Sequence, residues 1–347
     1  MLNLSFLNRR AQGAVLWNAS DHTVQLARLG RLDVRPLVIE AMAEFAPGDD
    51  AEIAAWVRGG APERGGGFKP GYCGFHPADR VLWRDGINAK RLAEPDYLPA
   101  LLAEGAKVPA GAEWHVAALN PLEGETLTPT SLSRPGLVLG VPLAAVREQQ
   151  QRLRRAGVRP RRLEVGSVTL LGALTRYMRE TAYPHATVAC EIGLGQTRVY
   201  FLAKDGVHTP ATLPHGLVSI MEAAMKELEL PGIAAARDAL FAPTDELRGK
   251  GRRLVRMLTR HLKPAIDYFE MQTGQPIGAL HAAHLPAPLG WLEEALGEAV
   301  ELEFFVPDTA AWLKMAGLEF APGLPMPPRP WFQAFGLVGQ LGGGAAE

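Results

Sequence analysis

Cysteine is scarce in this chain of 347 residues, which contains only Cys73 and Cys190. Two cysteines provide neither a disulfide framework nor a metal cluster, and this usage is typical of a protein that works in a reducing cytosol. Cys190 lies in an apolar run, so we expect it to be a buried hydrophobic side chain.

Charge of one sign is also lacking, because 36 Lys and Arg stand against 37 Asp and Glu, for a formal net charge of −1. No global field therefore attracts nucleic acid or anionic lipid. Three local basic clusters occur, at 152–155, 159–162 and 252–253. No aromatic residues are interleaved with them, so solvated helix faces are expected. Contact with an acidic partner or with a membrane surface is the alternative.

Long apolar runs are absent as well. No window reaches the roughly 18 apolar residues of a membrane-spanning helix. The first ten residues carry too short an apolar run before Arg9 and Arg10 to be a signal peptide. We expect a soluble cytoplasmic protein, of a length that suits about two domains, which reaches a membrane only through partners.

Sequence signatures of common catalytic sites are missing too. The chain has neither a Walker sequence nor a Gly-x-Ser-x-Gly elbow, and its histidines are scattered. The one close pair is His281-x-x-His284. Two residues at that spacing on a strand point to opposite faces, so we expect no metal site there and assign no catalytic residue.

What the sequence does contain is one strongly patterned stretch, 187–202. Two apolar, β-branched runs flank Glu191, Gly193, Gly195 and Thr197, which predicts a strand, a tight turn and a second strand. Backbone amides in such a turn can cradle a phosphate, because glycine allows close approach. An ordinary hairpin is the alternative, and the pattern by itself leaves both open.

Further elements alternate along the chain. The patterns predict a strand at 34–40 with Pro36 at an edge or bulge, and a helix from Asp49 to Arg58 with Asp49 as its N-cap. They also predict helices at 143–156, 167–180 and 254–272, and strands at 279–284 and 300–305. A loop at 62–67 and a disordered tail complete the chain.

Strand–turn–strand units near 13–29 and 187–202 each open a half that contains further strands and helices. This weak duplication predicts two α/β halves that face a cleft. It resembles the actin-like fold of actin, Hsp70, sugar kinases and the cell-division protein FtsA.

Six stretches of the chain follow one another in a recognisable order and spacing: Asn18 to Gln25, Gln149 to Leu174, Glu191 to Thr197, Leu213 to Leu217, Arg260 to Gln275 and Ala334 to Leu337. In that order they resemble PilM, the actin-like cytoplasmic protein of type IV pilus assembly, whose pattern is Asp-x-Gly-Ser-Ser-Ser-x-Lys at the first stretch and Asp-Ile-Gly-x-x-x-Thr at the third. The chain is more loosely similar to the cytoplasmic part of the type II secretion protein GspL.

The resemblance implies an α/β fold of the actin-like, ribonuclease H-like duplicated kind, with two lobes and an inserted small subdomain. The implied divisions are a first lobe at 1–69 and 161–186, an inserted subdomain at 70–160, a second lobe at 187–230 and 276–347, and a helical subdomain at 231–275.

Departures from the family pattern weaken the nucleotide site. In ATP-binding members the first motif supplies an Asp for the metal, a Gly near the phosphate and a Lys for its charge. Here those places hold Asn18, Ser20 and Gln25. Each lost charge-assisted contact is worth roughly 1.5–3 kcal/mol. The adenosine motif, normally Gly-Gly, has become Ala282 to Pro288, with two prolines.

The resemblance therefore implies a scaffold rather than an enzyme, with a degenerate cleft formed by Asn18, Ser20, Gln25, Glu191, Gly193, Gly195 and Thr197, and with no cofactor. Its implied partners are the cytoplasmic tail of a PilN-like inner-membrane protein and the pilus or secretion motor ATPases. The tail is expected in a groove beside the inserted subdomain, where no lining residues are assigned. The alternative is an ATP- and magnesium-binding, polymerising actin-like ATPase that uses Glu191, Gly193 and Thr197. A sugar-kinase-like enzyme would need a catalytic Asp in the cleft, and no Asp of the sequence stands out for that role.

Overall fold

The computed structural model describes residues 13–59, 68–106, 108, 112–131, 134–327 and 331–339. Within those ranges the chain divides into two compact units. The terminal unit takes its residues from Met1–His76, Ala145–Leu170 and Pro307–Glu347, and the central unit from Pro77–Ala144 and Leu171–Val306. Residues 77–144, most of the predicted inserted subdomain, belong to the central unit. The predicted four-part division itself stays a prediction.

The terminal unit is built on a six-stranded mixed sheet. In chain order its strands are β1 (Ala14–Ala19), β2 (Val24–Leu29), β3 (Leu37–Phe45), β4 (Lys69–Phe75), β8 (Val158–Val165) and β14 (Leu318–Phe320). They lie side by side in the order β14-β3-β2-β1-β4-β8. β1 pairs antiparallel with β2 and parallel with β4. Every residue of β1 is buried, which explains its continuous apolar character.

Helices cover this sheet. They are α1 (Asp50–Arg58), α3 (Leu143–Arg155), the first turn of α4 (Gly166–Glu180), α11 (Thr309–Ala316) and α12 (Trp331–Gly339). Trp17 and Val15 of β1 pack with Ile53 of α1 and Leu153 of α3 in one apolar cluster. Arg152 of the first basic cluster donates to Asp50 at 2.9 Å and so ties α3 to α1.

The central unit contains a five-stranded sheet whose strands are β9 (Ala186–Ile192), β10 (Thr197–Ala203), β11 (Gly206–Leu213), β12 (Ile277–Ala283) and β13 (Glu303–Phe304). Their order is β11-β10-β9-β12-β13. The predicted hairpin at 187–202 is therefore present, because β9 and β10 pair antiparallel. β9 also pairs parallel with β12 and is buried along its whole length.

A second sheet of the central unit has three strands, β5 (Val81–Ile87), β6 (Trp114–Leu119) and β7 (Arg134–Pro142), in the order β5-β7-β6. Helix α2 (Tyr97–Ala106) packs beside β6. The amide of Arg84 on β5 donates to Thr209 Oγ1 on β11 at 3.0 Å, and the Arg84 guanidinium donates to Asp205 at 2.9 Å. Hydrogen bonds and an ion pair therefore hold the small sheet against the β10–β11 hairpin.

The remaining helices of the central unit are α5 (Leu217–Glu227), α6 (Ile233–Phe241), α7 (Asp245–Gly249), α8 (Gly251–Leu254), α9 (Arg256–Thr273) and α10 (Gly290–Val300). Their apolar faces join Val188, Phe201 and Leu280 of the sheet in one core. No helix among the residues described here combines the length and the apolarity that a bilayer crossing needs.

Four element predictions need correction. The strand predicted at 34–40 begins only at Leu37, because Pro36 lacks an amide donor and restricts the residue before it. Asp49 precedes α1, but its carboxylate accepts from the amide of Ala46 at 2.9 Å rather than from a helix amide. The helix predicted at 254–272 is α9 from Arg256 onward, and its first predicted residue, Leu254, is the last residue of α8. The strand predicted at 300–305 shrinks to Glu303–Phe304, because α10 continues to Val300.

Both cysteine thiols are buried. Cys73 and Cys190 are each 1% exposed, which confirms the expectation for Cys190. Burial raises the pKa of the Cys190 thiol to about 12 and raises that of Cys73 as well. The predicted loop at 62–67 and the predicted tail, which runs from residue 340 onward, lie outside the described residues.

Candidate functional site

The β9–β10 hairpin of the central unit carries the stretch Glu191 to Thr197, which we call the second motif. Glu191 lies opposite Arg198 and Ile192 lies opposite Thr197 in the strand register. The turn between the strands is closed by the Gly193 amide, which donates to the Gln196 carbonyl at 2.9 Å. Glu191 is 1% exposed, so the carboxylate predicted to face a ligand is inside the protein.

Three side chains of the same unit surround the Glu191 carboxylate. Arg80 Nη2 donates to Glu191 Oε2 at 2.9 Å, and Tyr200 Oη donates to the same oxygen at 3.0 Å. His284 Nε2 lies 3.5 Å from Glu191 Oε1. The Arg80 side chain is 3% exposed, and its Nη1 also donates to the Pro77 carbonyl at 2.9 Å. We call Arg80, Glu191, Tyr200 and His284 the Glu191 cluster.

The start of α5 is joined to the hairpin turn by main-chain bonds. The amide of Leu217 donates to the Gly193 carbonyl and that of Val218 to the Leu194 carbonyl, both at 2.9 Å. A Cβ on Gly216 would stand 2.4 Å from the Gly193 oxygen, so only glycine permits this approach. Thr197 Oγ1 donates to the His215 carbonyl at 2.8 Å and fixes the segment that leads into the helix.

These contacts decide what the site can do chemically. A buried carboxylate could hold a cation, and the first amides of a helix could hold a phosphate. Here a guanidinium supplies the positive charge at Glu191, and turn carbonyls accept from the first amides of α5. The arrangement is therefore a buried polar cluster held by an ion pair, and Thr197 and Gly193 serve its structure.

The first motif lies in the terminal unit, on β1, β2 and the turn between them. Asn18 and Gln25 are register partners, and Asn18 Nδ2 donates to Gln25 Oε1 at 3.1 Å. Both are buried, at 3% and 1% exposure. Ser20 Oγ accepts from the amides of His22 and Thr23 and so stabilises the turn. Two neutral side-chain amides therefore pair at the positions where the PilM pattern has Asp and Lys.

The segment aligned with the adenosine motif follows β12. Leu285 and Leu289 are 2% and 0% exposed, and both belong to the core of the central unit. Trp291, just beyond the segment, donates through Nε1 to the Leu240 carbonyl of α6 at 3.1 Å. Leu285 and Leu289 thus anchor the segment in the apolar core, whereas Ala287 and Pro288 between them are exposed.

His281 and His284 do not act together in the central unit. His281 Nδ1 lies 3.0 Å from the Phe305 carbonyl, whereas His284 lies beside Glu191. His281 is in β12, and His284 comes just after the strand, with φ of 73°. The two imidazoles therefore have different partners.

Sequence reasoning missed three members of the Glu191 cluster. Tyr200 could have been found, because it faces Ala189 in the register and so shares a sheet face with Glu191, two positions on. Arg80 lies 111 positions from Glu191 and precedes β5, so no local pattern joins the two. His284 was considered only as a metal ligand.

Comparison with known proteins supports the fold. No family model and no curated protein matches the sequence. The solved PilM–PilN type IV pilus biogenesis complex contains a chain that is similar to this one over 96% of this chain and 99% of that one, with a TM-score of 0.69 and 18% identity.

Two other solved proteins are less similar to this chain. One is the cytoplasmic domain of EpsL, an inner-membrane component of the Vibrio cholerae type II secretion system, with a TM-score of 0.44, 12% identity and 96% of each chain covered. The other is a Bacteroides thetaiotaomicron protein of actin-like ATPase fold and unknown function, with a TM-score of 0.46 and 8% identity over 85% of this chain and 91% of that one. The fold class predicted from the sequence is confirmed, because this chain has the actin-like α/β fold of PilM.

Proposed function

We propose that this protein is a non-catalytic actin-like scaffold of a type IV pilus or type II secretion-like assembly at the inner membrane. In this role it binds the cytoplasmic tail of a PilN-like membrane protein and links it to the motor ATPases. The observation that carries the non-catalytic part is the buried pair of Arg80 and Glu191, 2.9 Å apart.

The Arg80–Glu191 pair opposes metal binding. A magnesium ion at Glu191 would have to share a water-poor pocket with a guanidinium, and like charges repel strongly where the dielectric is low. Moving Arg80 away would break its bonds both to Glu191 and to the Pro77 carbonyl. Loss of the metal in turn removes the charge that balances the phosphates of ATP.

Phosphate binding is opposed by the backbone. The amides of Leu217 and Val218 are bonded to the turn carbonyls, so an anion at the start of α5 would have to break both bonds. The Asn18–Gln25 pair in the terminal unit likewise replaces charge with neutral hydrogen bonding. In the segment aligned with the adenosine motif, Leu285 belongs to the apolar core, which opposes binding of a purine there.

The likeness to the PilM–PilN complex supports the partner part of the proposal. An extended tail binds most simply by adding a strand to a sheet edge. β6 is the edge strand of the small sheet on the side away from the β10–β11 hairpin, and it lies within the segment where the tail is expected. On this proposal the protein is cytoplasmic and is held at the membrane by its partner, with neither a nucleic-acid ligand nor a segment inserted into the bilayer.

Isothermal titration calorimetry tests both parts. The full chain is titrated with magnesium-ATP, and separately with a synthetic peptide of the cytoplasmic N-terminal tail of a PilN-like protein from the same organism. We expect saturable peptide binding and no nucleotide heat. A peptide with the same composition in scrambled order is the matched control.

The outcomes separate the alternatives. Micromolar magnesium-ATP binding that is lost in Glu191→Gln would overturn the non-catalytic scaffold and favour the ATP-binding, polymerising ATPase, which an ATP-dependent sedimentation assay would then reveal. Equal binding of the native and the scrambled peptide, or binding of neither, would overturn the PilN-like partner.

A further inference from the structure

We propose that the outer face of α9 is an interface for a second copy of this chain, paired antiparallel about a two-fold axis at Pro264. This surface belongs to the central unit alone, and the proposal does not depend on the proposed function. Three observations support it: an exposed line of mostly apolar side chains on α9, a change in the sign of the charged residues beside that line, and a surface depression next to the first turn of the helix.

The stripe consists of Met257, His261, Pro264, Tyr268 and Met271, which we call the α9 stripe. These residues recur at spacings of four, three, four and three, so they form one continuous line along the helix, about 21 Å long at 1.5 Å per residue. All five are exposed, with Tyr268 at 57% and Met271 at 76%.

The opposite face of α9 is the one used for folding. Its residues Leu258, Leu262, Ile266 and Phe269 are at most 7% exposed and join the core of the central unit. A helix packed in this way needs polar residues outward. α9 instead presents two methionines and a tyrosine in the heptad spacing of a helix pair, which is the pattern of an interface.

Charge along one flank of the stripe changes sign. Arg256, Arg260 and Lys263 occupy this flank in the first half of α9, and Asp267 and Glu270 occupy it in the second half. In an antiparallel helix pair the same flank of each helix faces its counterpart, running in the opposite direction. Arg260 of one copy then faces the partner's Asp267, and the two-fold axis repeats the pair. A parallel pair would put the two copies of this flank on opposite sides of the interface, where Arg260 and Asp267 could not meet.

The stripe is also self-complementary under this symmetry. With the axis at Pro264, Met257 lies opposite the partner's Met271, and His261 opposite the partner's Tyr268. Met257 lines a surface depression of about 490 Å³ beside α5. The protruding Met271 of one copy fits the depression of the other, and an unbranched thioether adapts well to such a site.

These features select a second copy over other occupants. An anionic membrane surface would repel the acidic half of the flank, and an unrelated helix would need to reproduce both the reversal of charge and the spacing. The single-helix contact is small, so we expect a weak, concentration-dependent dimer rather than a permanent one.

Cysteine cross-linking tests the axis directly. The native Cys73 and Cys190 are each 1% exposed, so an introduced thiol dominates the reaction. Pro264→Cys places one thiol of each copy at the axis, and mild oxidation is expected to give a covalent dimer. Gln272→Cys is the matched control on the same helix, because its two copies stand about 24 Å apart in this arrangement.

Charge reversal tests the pairing in a chain that keeps its cysteines and its proline. Sedimentation velocity over concentrations up to the order of 100 µM measures the dimer fraction. Arg260→Glu and Asp267→Arg are each expected to raise the dissociation constant about tenfold or more, and the double variant to restore it. Met271→Glu should also abolish the dimer, whereas Met326→Glu, at another exposed methionine (55%), should not.

The results have clear readings. A disulfide at position 264 without one at 272, together with rescue by the double charge reversal, establishes the interface. A chain that stays monomeric throughout the concentration range, or a dimer that both single reversals leave intact, overturns it.

Discussion

Arg80 and Glu191, which lie 111 positions apart in the chain, meet in the interior of the central unit with 2.9 Å between Nη2 and Oε2 and with both side chains at most 3% exposed. Tyr200 donates to the same carboxylate oxygen at 3.0 Å. The acid at the centre of the second motif is therefore a structural anchor that joins β9, β10 and the segment before β5.

Removal of Arg80 is expected to destabilise the protein strongly. Arg80→Gln leaves the Glu191 carboxylate buried without its guanidinium, and breaking a buried pair from one side costs about 3–5 kcal/mol. Urea titration followed by circular dichroism measures the free energy of unfolding.

The double variant Arg80→Gln, Glu191→Gln is expected to regain much of this loss, because two neutral side chains then share the pocket. Arg91→Gln is the control, since the Arg91–Glu94 pair is half exposed and contributes little. A single Arg80 variant as stable as the native chain would show that the pair is not an anchor.

Gly216→Ala is expected to loosen the joint between the hairpin turn and α5. The new Cβ would stand 2.4 Å from the Gly193 oxygen and 2.7 Å from the Leu194 oxygen, so the turn or the helix start must shift. Overpacking of this kind costs about 1–3 kcal/mol. Thermal unfolding measures the loss.

Gly232→Ala is the matched control, because Gly232 also precedes a helix and a Cβ there meets no atom of the described residues within 4 Å. Equal melting temperatures for the two variants would contradict the proposed joint. Hydrogen exchange at Leu217 and Val218 gives a local readout and should quicken in Gly216→Ala only.

The free energy of unfolding should depend on pH in part through the ionisation of Glu164. Burial raises the pKa of this carboxyl above its ordinary value of 4.5, against lowering contacts with Arg162 and Thr169. Because its folded-state pKa lies above the unfolded one, the stability that Glu164 contributes is fully present below about pH 4.5 and is lost as the pH rises through the folded-state pKa.

Glu164→Gln cannot ionise, so its free energy of unfolding should rise relative to that of the native chain across the same window. Glu148→Gln, at an exposed position of α3, controls for the change in net charge. A constant difference between the native chain and Glu164→Gln at every pH would refute the raised pKa.

Both thiols are expected to resist alkylation in the folded protein. The thiolate is the reactive form, and burial raises the pKa of Cys190 to about 12 and also raises that of Cys73. Mass spectrometry after maleimide treatment should find the native chain unmodified and the urea-unfolded chain doubly modified. Rapid labelling of the folded chain at either position would contradict the burial.

Sequence patterns anticipated the hairpins because their signals are local. The β-branched runs on either side of Glu191 and the turn residues beyond Asn18 set the strands and their register within a few positions. Within the Glu191 cluster Tyr200 has such a signal but Arg80 has none, since Arg80 comes from a distant loop and only the folded chain brings it to the carboxylate. The predicted strand before Leu37 was wrong for a local reason, the missing amide of Pro36, which the sequence did show.

The placement of β14 also has a consequence for synthesis. β14 pairs with β3 at the edge of the terminal unit's sheet, and Leu337 of α12 packs where a Cβ on Gly74 would stand. Every residue of the central unit has left the ribosome once Val306 has emerged, whereas the terminal unit waits for its last strand and helix. The unit that is translated first is thus the last to be completed, so a nascent chain halted after Val306 holds a finished central unit and an unfinished neighbour.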